Sequence, residues 1–192
     1  MNEEIIIAGF GGQGVLSMGK ILAYSGIMKN LEVSWMPSYG PEMRGGTANV
    51  TVILSDDRIS SPILTKYDTA IILNQQSLDK FESMIKKGGI LLYDTNGITR
   101  HPQRTDIHIY KVEASQEALK MGASRTFNMI VLGAYLKIRP QTNRIRCAVS
   151  NAPLDSILLS IINNSGAVIS LMARVPIHGN IFCSRPLIVF VA

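Results

Sequence analysis

A three-layer, Rossmann-like α/β fold, with a mostly parallel sheet and helices on both faces, is predicted by three features of the sequence. Residues 3–9, EEIIIAG, form a β-branched run that stops at glycine, as a buried parallel strand does before its turn. The glycine turn GFGGQG then leads into apolar residues at helical spacing. A strand–helix–strand pattern follows between Thr69 and Asp94. With 192 residues, 46% of them hydrophobic and 17% charged, the chain has material for one buried core and too little for two.

The elements follow in order. After the first strand, Val15, Leu16, Ile21, Leu22 and Ile27 mark a helix that ends between Gly26 and Asn30. EVSWM, residues 32–36, reads as a second strand, PSYGPEMRGG as a turn-rich loop, and TANVTVIL from Thr47 as a third strand. TAIILN from Thr69 is a strand, LDKFESMIKK a helix closed by Gly88 and Gly89, and ILLYD from Ile90 a strand. DIHIYKV from Asp106 alternates like a strand, EALKM is a short helix, and residues 125–138 are an apolar helix stopped by Pro140.

Composition excludes several classes. The net charge is 19 − 14 = +5, yet the basic residues form neither a run nor a helical stripe, so no nucleic-acid partner is expected. Cys147 and Cys183 cannot supply the four thiolates of an iron–sulfur cluster or build a disulfide framework. His101, His108 and His178 share no metal-ligand spacing, so no metal site is expected. Ser17 has no histidine or acid placed by sequence to activate it. The N-terminus lacks the basic flank of a signal peptide, and no apolar stretch has the length of a membrane helix; a cytoplasmic protein away from membranes is expected.

Two clusters carry the candidate chemistry. Gly9, Gly11 and Gly14 satisfy GxGxxG between a strand and a helix, and with Gly12 and Gln13 they form the candidate cofactor-binding turn. Such glycines let backbone amides approach a phosphate at a helix N-terminus, or serve only to pack strand against helix. A nicotinamide site also wants an acid at the end of the second strand, where Trp35, Met36 and Pro37 stand, and no GK[ST] completes a Walker loop. In the second cluster Pro37 and Pro41 stiffen the chain and Arg44 offers a planar fork of donors for a carboxylate or phosphate. Ser38, Tyr39, Gly40, Pro41, Glu42, Arg44, Gly45 and Gly46 are the candidate contacts for a partner or anion, the alternative being a rigid turn in which Arg44 pairs with Glu42.

Taken together, GFGGQGV, PSYGPEMRGGTANVTVILSD and FNMIVLGAYLK resemble the gamma subunit of 2-oxoacid:ferredoxin oxidoreductases over residues 3–140. SYGPEMRGGTAN is closer to the 2-oxoglutarate and branched-chain 2-oxoacid members than to the pyruvate members. The resemblance implies a complex that oxidatively decarboxylates a 2-oxoacid on thiamine diphosphate, passes electrons through [4Fe–4S] clusters to ferredoxin and forms acyl-coenzyme A. It implies alpha and beta partner subunits and a small ferredoxin-like delta subunit. In that family the thiamine diphosphate and the clusters are held by other subunits, so this chain is expected to complete the assembly without holding a cofactor alone, its Tyr39–Gly46 loop facing partners or coenzyme A.

Residues 1–140 are expected to form the Rossmann-like domain and 141–192 an atypical apolar tail. The first 140 residues hold 15 of 19 basic and 13 of 14 acidic side chains, and the last 52 contain no lysine. In the tail LDSILLSIINN reads as a helix and PLIVFVA as a strand. A shifted reading frame or a divergent, subunit-contacting extension would each explain the change of composition. A free-standing Rossmann-type nucleotide-binding enzyme and a basic nucleic-acid-binding module are the other function classes.

Overall fold

The computed structural model describes residues 1–39 and 46–139. The expected tail elements, and Gly40 to Gly45 of the second cluster, lie outside the described residues.

Six strands form one sheet: β1 (Asn2–Phe10), β2 (Glu32–Tyr39), β3 (Thr47–Ser55), β4 (Tyr67–Ile72), β5 (Ile85–Asp94) and β6 (His108–Val112), in the order β2-β3-β1-β4-β5-β6. β1, β4, β5 and β6 pair in parallel, and β3 lies antiparallel between β1 and β2. Five strands therefore point one way and β3 alone opposes them, which makes the sheet mixed.

Helices cover both faces, as expected. α1 (Val15–Ile27), α3 (Ala114–Lys120) and α4 (Phe127–Ile138) share one core with Ile5, Ile7, Val50, Val52, Ile71 and Leu92. α2 (Gln75–Phe81) packs Leu78 and Phe81 on the opposite face, against Ile6, Ala8, Ile72 and Leu91. Alternation along β1 sends successive isoleucines to opposite cores. Ile5, Ile6 and Ile7 are fully buried, each worth about 1.5–3 kcal/mol of burial.

Several boundaries differ from the sequence reading, among them those of the helix after β4, of β5 and of β2. The helix after β4 starts at Gln75, capped by Asn74, and ends at Phe81 with a 3₁₀ turn over Glu82–Met84. Residues 85–87, read as its last turn, belong to β5, because Ile85 is buried opposite Tyr67 and Lys86 bridges Glu4 (2.7 Å) and Asp68 (2.8 Å). The shift of register between Tyr67 and Thr69 takes up the extra residues of β5. β2 continues through Pro37 to Tyr39, which an edge strand permits because a proline there leaves no central ladder bond unmade.

The N-terminal ends of the parallel strands are tied by charge. Glu3 is fully buried and accepts hydrogen bonds from Thr69 Oγ1 (2.7 Å) and Arg139 Nε (2.9 Å). Burial raises the Glu3 pKa, with the Arg139 and Thr69 hydrogen bonds opposing that rise. Burial likewise holds the Tyr135 hydroxyl, beside this pair, well above the usual phenol range.

Candidate functional site

The C-terminal ends of β1, β4 and β5 meet at one edge of the sheet, where open α/β sheets place ligands. β1 ends at Phe10, and the turn that follows delivers α1. Because β3 runs antiparallel, its first residues arrive at the same edge: Phe10 pairs with Thr47 and Gly9 with Ala48. The Gly11 N–H then donates to the Gly46 carbonyl at 2.9 Å, so the glycine turn and the end of the second cluster are in direct contact. Two motifs about thirty residues apart in sequence thus form one structural corner.

The glycines of the turn do different work. Gly9 is buried, and a Cβ on it would lie 2.5 Å from Gln13 Oε1 and 2.9 Å from Leu73 Cβ, so its role is close packing. Gly14 caps α1 in the left-handed region (φ 73°), and a Cβ there would lie 2.2 Å from Asn128 Nδ2. A side chain at 14 meets both backbone strain and a clash. Gly12, exposed at φ 97°, has open space where a Cβ would stand. Gln13 turns inward: its Oε1 accepts from the Phe10 N–H (2.6 Å) and its Nε2 reaches the Leu73 carbonyl (3.5 Å), bracing the turn against the end of β4. Close packing, one of the two sequence readings, accounts for Gly9 and Gly14, while Gly12 faces open space.

α1 has no side-chain cap and no acid in its first turn. Its first amides thus carry the partial positive charge of a helix N-terminus without an internal anion to neutralise it. The corner offers backbone donors suited to an anionic group.

Four residues of this edge were not assigned a role from sequence. Asn74, at the end of β4, caps α2 by accepting from the Ser77 N–H (2.8 Å), while its buried Nδ2 has no hydrogen-bond partner. Thr95, just past β5, also has a buried hydroxyl without a partner. Gly97 lies against β4's exit, since a Cβ on it would stand 2.2 Å from the Leu73 carbonyl. Asn128, buried at the start of α4, presses on Gly14 and accepts the Met129 N–H (3.0 Å). Asn74 was legible as a cap before a helical run, and Asn128 as the polar residue in an apolar helix.

The loop after β5 is held to α2 by polar contacts. Gln75 Oε1 accepts from the N–H groups of Thr99 (2.9 Å) and Arg100 (2.8 Å), and Glu82 accepts from the Gln103 N–H (2.6 Å) and Arg100 (2.9 Å). The Arg100 hydrogen bond holds the Asp79 carboxyl below its usual range. Asp94 is buried at the end of β5, where it accepts the Ser115 hydroxyl and so anchors the start of α3.

Ser38 is exposed near the end of β2, and Tyr39 closes that strand. Gly40, Pro41, Glu42, Arg44 and Gly45 lie outside the described residues. The geometry a dinucleotide would need on this side is altered, because the strand beside β1 is the antiparallel β3 and not a parallel second strand. Among the described residues no three histidine, cysteine, aspartate or glutamate side chains come together to hold a metal ion. No described helix is long and apolar enough to cross a membrane.

Comparison with known proteins places the chain in a family. Residues 4–152 match the model of the pyruvate ferredoxin/flavodoxin oxidoreductase family. Ketoisovalerate oxidoreductase subunit VorA of Methanothermobacter thermautotrophicus is 42% identical over 135 residues, 70% of this chain and 28% of that protein. The chain thus spans little more than a quarter of that relative's length. 2-Oxoglutarate synthase subunit KorC of Methanocaldococcus jannaschii is 34% identical over 163 residues, covering 82% of this chain and 84% of that one. Among solved structures, the gamma subunit of a keto/oxoacid ferredoxin oxidoreductase from Geobacter sulfurreducens superposes with a TM-score of 0.67 at 27% identity, over 83% of this chain and 85% of that one.

Proposed function

The chain belongs to the pyruvate ferredoxin/flavodoxin oxidoreductase family, and from that premise we propose that it is the gamma-type subunit of a 2-oxoacid:ferredoxin oxidoreductase acting on 2-oxoglutarate or a related 2-oxoacid, branched-chain ones included. The observation that carries this reading is the likeness to KorC along most of both chains. In this role the chain completes an assembly with alpha, beta and ferredoxin-like delta partners. Thiamine diphosphate and the iron–sulfur clusters sit on those partners.

The corner built from the glycine turn and the Ser38–Gly46 loop is the part of this chain that meets the reaction. Its amides, at Gly12 and the first turn of α1, suit the phosphates of coenzyme A. Arg44 adds a charge-assisted contact to coenzyme A or to a partner carboxylate. The chain's own contribution is to bind and position. Residues 1–140 act as this unit; residues 141–192 we propose as a separate, atypical tail.

The test is to assemble the complex from its subunits with and without this chain, and to measure ferredoxin reduction driven by 2-oxoglutarate or 2-oxoisovalerate with coenzyme A. Turnover that requires the chain, with none from the chain alone, is expected. Full activity without it, or dinucleotide-dependent redox activity from the isolated chain, would overturn the reading.

A further inference from the structure

β4 and β5 leave the sheet side by side, and just past each stands a buried polar atom without a hydrogen-bond partner among the described residues, Asn74 Nδ2 and Thr95 Oγ1. Ile72 pairs with Tyr93 in parallel register. Both chains stay extended beyond that pair, Asn74 at φ −152° and ψ 162° and Asp94 at φ −84° and ψ 127°. Alternation therefore returns Asn74 and Thr95 to the face of Ile72 and Tyr93, one beside the other. The turn that follows β5 closes on the same place. A Cβ on Gly97 would lie 2.2 Å from the Leu73 carbonyl oxygen and 3.3 Å from Asn74 Cα.

The chemistry of the two groups is set by their neighbours. Asn74 Oδ1 accepts the Ser77 N–H (2.8 Å), which fixes the amide and leaves Nδ2 as a donor with nothing to donate to. The Thr95 hydroxyl is a second donor. Neither carries charge, and the arginines of the following loop are already engaged, Arg100 with Asp79 and Glu82 (2.9 Å each) and Arg104 with Asp106 (2.6 Å). Two neutral donors without a cation suit a neutral acceptor, such as an amide carbonyl, better than a phosphate. Burying them unpaired costs stability, and that cost is relieved when an acceptor arrives. Neighbouring strands lie about 4.8 Å apart, so the pair stands roughly 5–10 Å from the glycine turn that ends β1.

We propose that Asn74 Nδ2 and the Thr95 hydroxyl form a neutral hydrogen-bonding subsite for an amide carbonyl of a phosphate-bearing ligand, which on the gamma-subunit reading is the pantetheine arm of coenzyme A. This rests on that reading. α1 packs on one face of the sheet after β1 and α2 on the other after β4, and such a switch point is where open α/β sheets hold a ligand. The glycine turn takes the charged end of the molecule and the exits of β4 and β5 take the neutral arm. Because both polar atoms are covered, the carbonyl reaches them as the Thr95–Gly97 turn lifts from Leu73. Thr99, Arg100 and Gln103, farther along the loop, are tied to Gln75 and Glu82, so the movement is confined to that turn. Asn74 and Thr95 are thus positioning residues.

The experiment titrates the assembled complex with coenzyme A and with its phospho-ADP half, which keeps the phosphates and lacks the arm. Wild type, Thr95→Val and Asn74→Asp are compared, and the melting temperature of each isolated chain is recorded. Asn74→Asp keeps the capping acceptor and removes the donor. Thr95→Val should melt above wild type, because a methyl group of the same shape replaces a buried hydroxyl without a partner. Each variant should weaken coenzyme A binding about three- to tenfold and leave the affinity for phospho-ADP unchanged. Should Asn74→Asp fail to fold, Thr95→Val decides alone. An equal effect on both ligands, or on neither, overturns the proposal and leaves the gamma-subunit reading intact. A lower melting temperature for Thr95→Val also overturns it, by showing that the hydroxyl is already satisfied in the free chain. A wild-type complex that binds phospho-ADP no better than background contradicts the division of the ligand on which the proposal depends. Failure of that complex to bind coenzyme A at all overturns the reading itself, and the proposal with it.

Discussion

At the N-terminal ends of β1, β4 and β5 the sheet is closed by charge, with Glu3 on Arg139 and Thr69, and Lys86 on Glu4 and Asp68. At their C-terminal ends stand a glycine turn, an exposed Gly12 and two buried polar atoms without partners, on Asn74 and Thr95. The first end pairs its charges internally and ties β1 to the end of α4, although the buried Tyr135 hydroxyl beside them has no hydrogen-bond partner. The second leaves backbone amides to be satisfied from outside. The charge-tied edge serves stability and the opposite edge carries the proposed binding role, and substitutions at the two should fail differently.

The largest loss of stability is expected from Arg139→Leu. It strands a fully buried carboxylate, and breaking such a pair from one side costs about 3–5 kcal/mol. Burial already raises the Glu3 pKa above 4.5, so the folded chain holds this proton more tightly than the unfolded one. The contribution of Glu3 to stability therefore falls as the pH climbs through its folded pKa. In Arg139→Leu that decline steepens, and urea unfolding should show a smaller deficit against wild type near pH 5 than near pH 8. An equal deficit at both would show that the pair's charge is not what matters.

Gly14→Ala comes next. A left-handed backbone without glycine costs about 1–3 kcal/mol, and Asn128 must move as well. Asn74→Ala removes the cap of α2 and should cost about 0.5–2 kcal/mol in chemical denaturation. Gly14→Ala should also impair the assembled complex, because it displaces the mouth of the glycine turn. Unchanged turnover in a folded Gly14→Ala complex would separate the turn from function.

Much of this division was legible in the sequence. The EEIIIAG run, the glycine turn and the helix behind it appear where periodicity put them, because a buried β-branched strand has few alternatives. β3's place between β1 and β2 was not legible, since strand order depends on which faces pack together and not on any local signal. Residues 85–87 were misassigned for a related reason: Lys86 and Lys87 suit the end of an amphipathic helix as well as a strand, and the ion pairs that decide the matter join three strands. The hydrogen bond from Gly11 to Gly46 likewise exists only through the antiparallel return of β3.

The smallest expected change in stability belongs to Arg44→Ala, within about 0.5 kcal/mol for the partner- or anion-facing role proposed for Arg44. It also provides the most direct test of the functional edge. The measurement is 2-oxoacid-dependent ferredoxin reduction by the reassembled complex carrying Arg44→Ala, with the coenzyme A concentration varied and the isolated variant's melting temperature recorded beside it. The account predicts an unchanged melting temperature and a loss of turnover or coenzyme A affinity well beyond tenfold, as removal of a buried charge-assisted contact commonly costs about 2–5 kcal/mol. Normal assembly, turnover and coenzyme A dependence in this variant, or a chain that no longer folds, would contradict it.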